Sequence, residues 1–207
     1  MPQITMLDNY GYTYSADENY CYPNSAVLVN KLNIRDGTQL ASVERDITYL
    51  RLIELQKTPI HGQFGFSHLR TIHRYIFTDL YSWAGEIRRS EFLMKGGTIF
   101  CRGQYIESYA QDLFSKLASE HKLRGMQKVQ FVERLAYYMG EVNALHPFRE
   151  GNGRTSREFF RQLSKSAGYD LDFGNIDKND LLAADIAAFD KDYSLLITIL
   201  NASIHEP

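Results

Sequence analysis

The sequence predicts a mostly α domain, a compact helical bundle that carries one small β-hairpin. Three observations lead there. Apolar residues recur at the 3–4 spacing of a helix face, as in Leu40, Val43, Ile47, Leu50 and Ile53. One stretch breaks that rhythm: residues 86–93 and 98–101 flank Lys95-Gly96-Gly97, a hairpin pattern. The chain, at 207 residues with 44% hydrophobic content, is long enough to bury a sizeable core.

Taken in order, residues 1–24 have neither period, yet Tyr10, Tyr12, Tyr14, Tyr20 and Tyr22 recur there. So many aromatics predict a packed extended arm rather than a disordered tail, and leave 25–207 as a single domain. Ser25, after Pro23-Asn24, reads as the N-cap of a short helix to Leu32. Asp36-Gly37-Thr38 is a turn and cap before a helix over 39–57, which Thr58-Pro59, Gly62 and Gly65 end. Ser67 reads as the next cap, with Leu69, Ile72, Ile76 and Leu80 buried and the helix running past Trp83 to Ala84-Gly85. The hairpin of 86–101 follows. Two strands alone are marginal in water, so it must lean on helices or serve a function. Helices return at 105–123 (Ile106, Tyr109, Leu113, Leu117) and 129–145 (Val129, Val132, Leu135, Met139, Val142). Further helices are expected at 158–167, 178–188 and 192–203.

Bulk properties exclude several functions. A formal charge of −2 and no basic helix face give no reason to bind nucleic acid directly. No apolar run approaches the roughly 20 residues of a membrane span. The N-terminus lacks the basic and apolar regions of a Sec-type signal, and Cys21 and Cys101 form no metal or disulfide pattern. A cytoplasmic protein fits, as does an effector exported by a specialised secretion system.

The chemistry concentrates in His146-Pro147-Phe148-Arg149-Glu150-Gly151-Asn152-Gly153-Arg154-Thr155-Ser156-Arg157, a loop that opens a helix. Free N–H groups and the helix dipole favour an anion there. His146 is placed to act as a general base. Pro147 and Phe148 fix the start of the loop. Glu150 offers the hard oxygen that Mg²⁺ prefers. Gly151 and Gly153 permit φ > 0 and close backbone approach, a nest of N–H groups around Asn152. Arg154 and Arg157 share a helix face from which both reach a polyphosphate. Each residue alone has a commoner reading: a helix-end histidine that caps, a plain Gly-Asn-Gly turn, two solvated arginines. Their coincidence within twelve residues favours function.

The stretch resembles the motif of the Fic family, H-P-F-x-[D/E]-G-N-G-R-x-x-R, at every specified position. The similarity extends to Tyr22-Pro23-Asn24-Ser25, Asn30-Lys31-Leu32, His68-Leu69-Arg70-Thr71-Ile72-His73 and Trp83-Ala84-Gly85. It also takes in Phe131-Val132-Glu133-Arg134-Leu135-Ala136 and Glu141-Val142-Asn143-Ala144-Leu145. The resemblance implies the Fic fold and transfer of AMP from ATP to a Ser, Thr or Tyr hydroxyl of a target protein. It implies that His146 deprotonates that hydroxyl, that Phe148 holds the loop in the core, and that Glu150 positions Mg²⁺. Arg149, Gly151, Asn152, Gly153, Arg154, Thr155 and Arg157 would bind ATP with Glu150. Arg154 and Arg157 would stabilise the departing pyrophosphate. The hairpin becomes the flap: Lys95, Gly96, Gly97 and Thr98 lie over the nucleotide, and residues 92–101 pair with an extended target segment.

Many Fic proteins are silenced by a helix carrying [S/T]-x-x-x-E-[G/N]. Here Glu precedes Gly or Asn only at Glu18-Asn19 and Glu150-Gly151, with Tyr14 and His146 four residues before. Ser15 is one residue out of register. The expectation is inhibition in trans by a small antitoxin-type partner. The alternatives are a Fic-type transferase of UMP, phosphocholine or phosphate, a non-enzymatic helical adaptor, and a metallohydrolase built on His146 and Glu150. The phosphate-transferring branch departs from the motif near its central Gly, whereas Gly151 and Gly153 are both kept. The intact motif speaks against the adaptor, and the lack of another ligand cluster against the hydrolase: His68 and His73 stand off one helix face and read as packing or capping, while His61, His121 and His205 read as solvent-facing.

Overall fold

A computed structural model of the chain describes residues 5–7, 11–15 and 20–206, with side chains from residue 11 onward except at 14 and 15. Tyr10, Glu18 and Asn19 lie outside the described residues. The chain divides into two compact units. The first comprises Met1–Ile60, Arg70–Glu107 and Pro147–Gly151; the second comprises His61–Leu69, Ser108–His146 and Asn152–Pro207. Among the described residues, no helix is long and apolar enough to cross a membrane.

The first unit opens with strands β1 (Thr5–Leu7) and β2 (Tyr12–Ser15). No helix forms at 25–32. Asn24 turns the chain at φ 56°, Tyr22 N–H donates to the Val27 carbonyl at 2.9 Å, and Cys21 bridges Leu28. The Asn30 side chain then bonds the backbone of Leu28 and Ile34. Asparagine so used competes with a helix ladder, which is why the cap at Ser25 opens nothing. Helix α1 (Gly37–Lys57) starts where expected, on Asp36, whose carboxylate accepts the Gln39 N–H at 2.7 Å. It is tied to the segment after the next helix by Arg51, paired with Asp79 at 2.7 Å, and by the buried Glu44, which accepts the Tyr81 hydroxyl.

Helix α2 (Phe66–Phe77) includes Ser67 in its first turn rather than as a cap, and it ends before Leu80. From there Leu80 and Tyr81 N–H groups both donate to the Phe77 carbonyl, a tightened last turn. The hairpin is shorter than its sequence pattern: β3 (Leu93–Lys95) and β4 (Thr98–Ile99) flank Gly96 and Gly97, both at positive φ as a two-residue hairpin turn demands. Residues 86–92 are irregular because Arg88 is buried among them, donating to the carbonyls of Ser90 at 2.6 Å and Cys101. The marginal hairpin is stabilised by the arm. Strand β2 pairs antiparallel with β3, Tyr12 opposite Lys95, to give a sheet in the order β1-β2-β3-β4.

Helix α3 (Ile106–Ser119) starts at the end of the first unit's Arg70–Glu107 segment and continues into the second, whose α4 (Lys128–Leu145) and α5 (Asn152–Ala167) are followed by α6 (Lys178–Phe189) and α7 (Ser194–Ser203). A 3₁₀ turn at Gly103–Tyr105 leads into α3, and another at His121–Leu123 follows it, which splits the run expected over 105–123. Strands β5 (Asp170–Leu171) and β6 (Ile204–His205) pair antiparallel after α5 and α7. The core is aromatic: Phe66 stacks on Phe114, Phe131 on Tyr169, and Phe159 meets Phe64 edge-on. Val129 was expected in the α4 stripe but is exposed; the buried face begins two residues later, at Phe131. Glu141, buried within α4, accepts from Lys191 at 2.5 Å, from Tyr193 at 2.8 Å and from Tyr109. Burial pushes its pKa up, but these donors outweigh that and hold the carboxylate below its ordinary value.

Candidate functional site

Helix α4 delivers His146 as its C-cap, in the left-handed region at φ 44°, ψ 60°. A non-glycine residue held there costs about 1–3 kcal/mol, strain that clusters at functional positions. His146 is buried, with its N–H on the Val142 carbonyl and its Nδ1 3.2 Å from the Asn143 carbonyl. A carbonyl oxygen only accepts, so Nδ1 carries the proton and the lone pair sits on Nε2. That tautomer leaves Nε2 as the ring's proton acceptor.

The chain then passes into the first unit for Pro147–Gly151. Arg88 N–H donates to the Pro147 carbonyl at 2.8 Å. Phe148 is buried and stacks on His73, ring centroids 3.9 Å apart. Arg149 is fully buried, its guanidinium 5.5 Å from the Tyr20 ring and 5.8 Å from the Tyr12 ring. Lys95 of the hairpin lies over the same Tyr12 ring at 4.3 Å, so hairpin and motif loop share one aromatic from β2. Gly96 and Gly97 are exposed at the tip and Thr98 is half-buried. The Glu150 carboxylate, also buried, accepts the N–H of Gly151 through Oε1 at 2.8 Å. Gly151 stands at φ +82°, and a Cβ there would lie 2.2 Å from the Phe77 ring. Only glycine fits. Burial pushes the pKa of Arg88 beside this loop down to about 10.

At Asn152 the chain re-enters the second unit and α5 begins at once. The Gly-Asn-Gly is thus not one loop: Asn152 and Gly153 form the first helical turn, and Gly153 has no positive φ, contrary to the expectation for both glycines. By helical geometry the first N–H groups of α5 find no acceptor within the helix. Asn152 is buried and Thr155 wholly so, whereas Arg154 and Arg157 are half-buried on the face their spacing predicts. Burial lowers the pKa of Arg157, and the charge of Asp185 on α6 opposes that. Burial pushes Asp185 itself up to about 6, against the pull of Arg157.

Several contributors were not legible in sequence. His73, expected only to pack or cap, touches two motif residues. Tyr12 and Tyr20 carried an aromatic signal without an address. Asp185 carried no signal at all. His61, His121 and His205 are exposed, as expected, and His68 packs on Phe159. Among the described residues no group of three metal-binding side chains exists.

The sequence profile of the Fic/DOC family matches residues 63–164. The chain is 39% identical to protein adenylyltransferase VbhT of Bartonella schoenbuchensis over 191 residues, 92% of this chain and 40% of that one. It therefore spans less than half of that relative. A Fic protein of Escherichia coli (strain K12) is 40% identical over 84% of each chain. Among solved structures, the Fic domain of a VirB-translocated effector of Bartonella quintana with bound ADP superposes with a TM-score of 0.87. It is 28% identical, over 91% of this chain and 95% of that one. BepC of Bartonella tribocorum with bound AMPPNP gives 0.87 at 25% identity, over 91% and 97%. With the motif complete from His146 to Arg157 and the helical fold shared, this chain belongs to the Fic/DOC family.

Proposed function

We infer that the chain is a protein adenylyltransferase. It transfers AMP from ATP to a hydroxyl side chain of a target protein and releases pyrophosphate. The observation that carries this is His146: a strained left-handed cap whose Nδ1–H is spent on its own helix, at the head of a complete motif. Relatives over most of the chain carry the same activity in their names, and related Fic domains bind ADP and AMPPNP.

In the mechanism we propose, Nε2 of His146 takes the proton of the target Ser, Thr or Tyr hydroxyl. The freed oxygen attacks the α-phosphorus of ATP, and the bond from that phosphorus to the α,β-bridging oxygen breaks. The electron pair leaves with pyrophosphate. Arg154 and Arg157 stabilise its charge, together with the N–H groups of the first turn of α5 at Asn152 and Gly153. Arg149 and Thr155, fully buried, support loop and helix from within; we narrow their part in ATP binding to that. The hard carboxylate of Glu150, fixed by the Gly151 N–H, fits Mg²⁺ and would hold it at the nucleotide's phosphates. When bound, the ion would neutralise charge on the phosphates.

Lys95, Gly96, Gly97 and Thr98 at the flap tip would cover the nucleotide. The target would dock as an extended segment on residues 92–101. We propose residues 25–207 as one catalytic domain with 1–24 as its arm, the arm completing the flap sheet. Inhibition would come in trans from a small antitoxin-type protein acting on Arg157. We place the activity in a cytoplasm, that of the producing cell or of a host reached by export.

The test is incubation with labelled ATP, Mg²⁺ and a cell lysate. Label from the α-phosphate should appear on protein with the wild-type chain and not with His146→Ala. Protein label only from the γ-phosphate would replace this reading with a kinase.

A further inference from the structure

We propose that His73 is a positioning residue for Glu150: it sets the direction of the motif's carboxylate through two backbone hydrogen bonds and two ring stacks. The proposal rests on the reading of Glu150 as the metal-holding carboxylate.

Every contact lies within the first unit. The N–H of Gly85 donates to Nδ1 of His73 at 2.8 Å. A backbone N–H can only donate, so Nδ1 holds the lone pair and the ring proton is on Nε2. Nε2 is 3.0 Å from the carbonyl oxygen of Glu150 and donates to it. A neutral imidazole in this one tautomer satisfies both partners. A phenyl ring would satisfy neither.

The ring itself has little room. It is fully buried, stacked on Phe148 at 3.9 Å and 19° and on Phe77 at 4.7 Å and 28°. The Gly85 end is also fixed. Gly85 sits at φ +81°, a Cβ there would lie 2.8 Å from the Cβ of Arg74, and its carbonyl accepts Nε of Arg70 at 2.9 Å. The far end is equally tight, since Glu150 Oε1 accepts the Gly151 N–H and Gly151 packs its Cα against Phe77.

A continuous run therefore leads from Arg70 through Gly85 and His73 to the peptide of Glu150. Packing alone would ask for any flat ring at position 73. A donor and an acceptor on opposite sides, one of them aimed at the residue that carries the motif's carboxylate, ask for histidine. Groups that hydrogen-bond a metal ligand's own side chain typically change metal affinity by about 10–100-fold when removed; His73, acting through the backbone of that residue, belongs at the low end of that range.

The test uses Mn²⁺ with AMPPNP as the probe, its affinity read by electron paramagnetic resonance, with circular dichroism melts as the control for folding. His73→Phe keeps the ring and loses both hydrogen bonds; it should weaken Mn²⁺ binding about tenfold. His73→Gln, whose amide N–H stands near the place of Nε2, should stay within about threefold of wild type. In wild type, ¹⁵N-histidine spectra should show His73 as the Nε2–H tautomer, a readout that does not depend on any variant folding. Wild-type Mn²⁺ affinity in His73→Phe, equal losses in Phe and Gln variants, or an Nδ1–H tautomer would each overturn the assignment. Glu150→Gln separates the two layers. If it loses Mn²⁺ while His73→Phe does not, the positioning role alone fails. If it keeps Mn²⁺, the reading of Glu150 fails beneath it.

Discussion

Glu150 and Arg157 belong to one motif, yet the chain holds them by opposite means. Glu150 is buried in a loop in which Phe148, Arg149 and Gly151 each have a specific packing partner. Arg157 is half-buried on the first turns of α5, its neighbouring acid contributed by another helix and its side chain long enough to move. The difference separates two tasks. A carboxylate that places an ion must be fixed in advance, because misplacement by about 1 Å costs rate directly. An arginine that follows a leaving group gains from reach. On the roles proposed above, the loop would be a preformed mount and the helix turn an adaptable clamp.

The comparison breaks most severely at Gly151. Replacing it with Ala adds a left-handed penalty of about 1–2 kcal/mol to a clash with Phe77 that overpacking series put at about 1–3 kcal/mol. The variant should melt well below wild type and lose AMP transfer. Gly153→Ala should leave the melting temperature near that of wild type, because its Cβ would meet only the end of the Arg157 side chain at 3.2 Å. Equal effects of the two substitutions in thermal melts would erase the distinction between mount and clamp.

On the clamp side, Arg157→Ala should leave the melting temperature within a few degrees. It should lower AMP transfer by about 100-fold, the loss expected when one donor to developing charge is removed. A drop in stability equal to that of Gly151→Ala would show that Arg157 is part of the mount after all.

A smaller effect concerns Asp185. Its pKa is raised by burial from 3.8 to about 6, so between those values the folded chain binds the proton more tightly than the unfolded one. Stability is then lost as pH rises through that window and stays lower above it. Asp185→Asn mimics the protonated acid. It should flatten the dependence of the urea midpoint between pH 4 and pH 6, and add on the order of 2 kcal/mol at pH 8. An unchanged pH profile would contradict the burial of this acid beside Arg157. The smallest effect is expected at Glu18. Glu18→Gly should leave the activity of the purified chain unaltered; activation of an inactive chain would mean that inhibition lies within it.

What the sequence could show followed from how local each signal was. The cap at Asp36, the Thr58-Pro59 stop and the periodic face of α4 are written within a few residues, and they hold in the structure. The motif was legible because its residues are contiguous. The helix expected after Ser25 was not a failure of capping rules; Asn30 folds the backbone around its own side chain, a preference that helix periodicity does not register. The pairing of β2 with β3 joins residues some eighty positions apart, and nothing near Tyr12 names Lys95 as its partner. His73 was equally hidden. A histidine on an apolar face reads as packing until the carbonyl it holds is known to be that of Glu150.

The central claim is that this motif moves AMP, and the most direct measurement is the mass gained by a target. The wild-type chain and His146→Ala would each be expressed in cells, and the lysate proteins compared by mass spectrometry. A protein that gains one AMP on a Ser, Thr or Tyr hydroxyl with the wild-type chain alone is the predicted result. A gain of UMP, phosphocholine or a bare phosphate instead, or an AMP adduct that persists with His146→Ala, would contradict it.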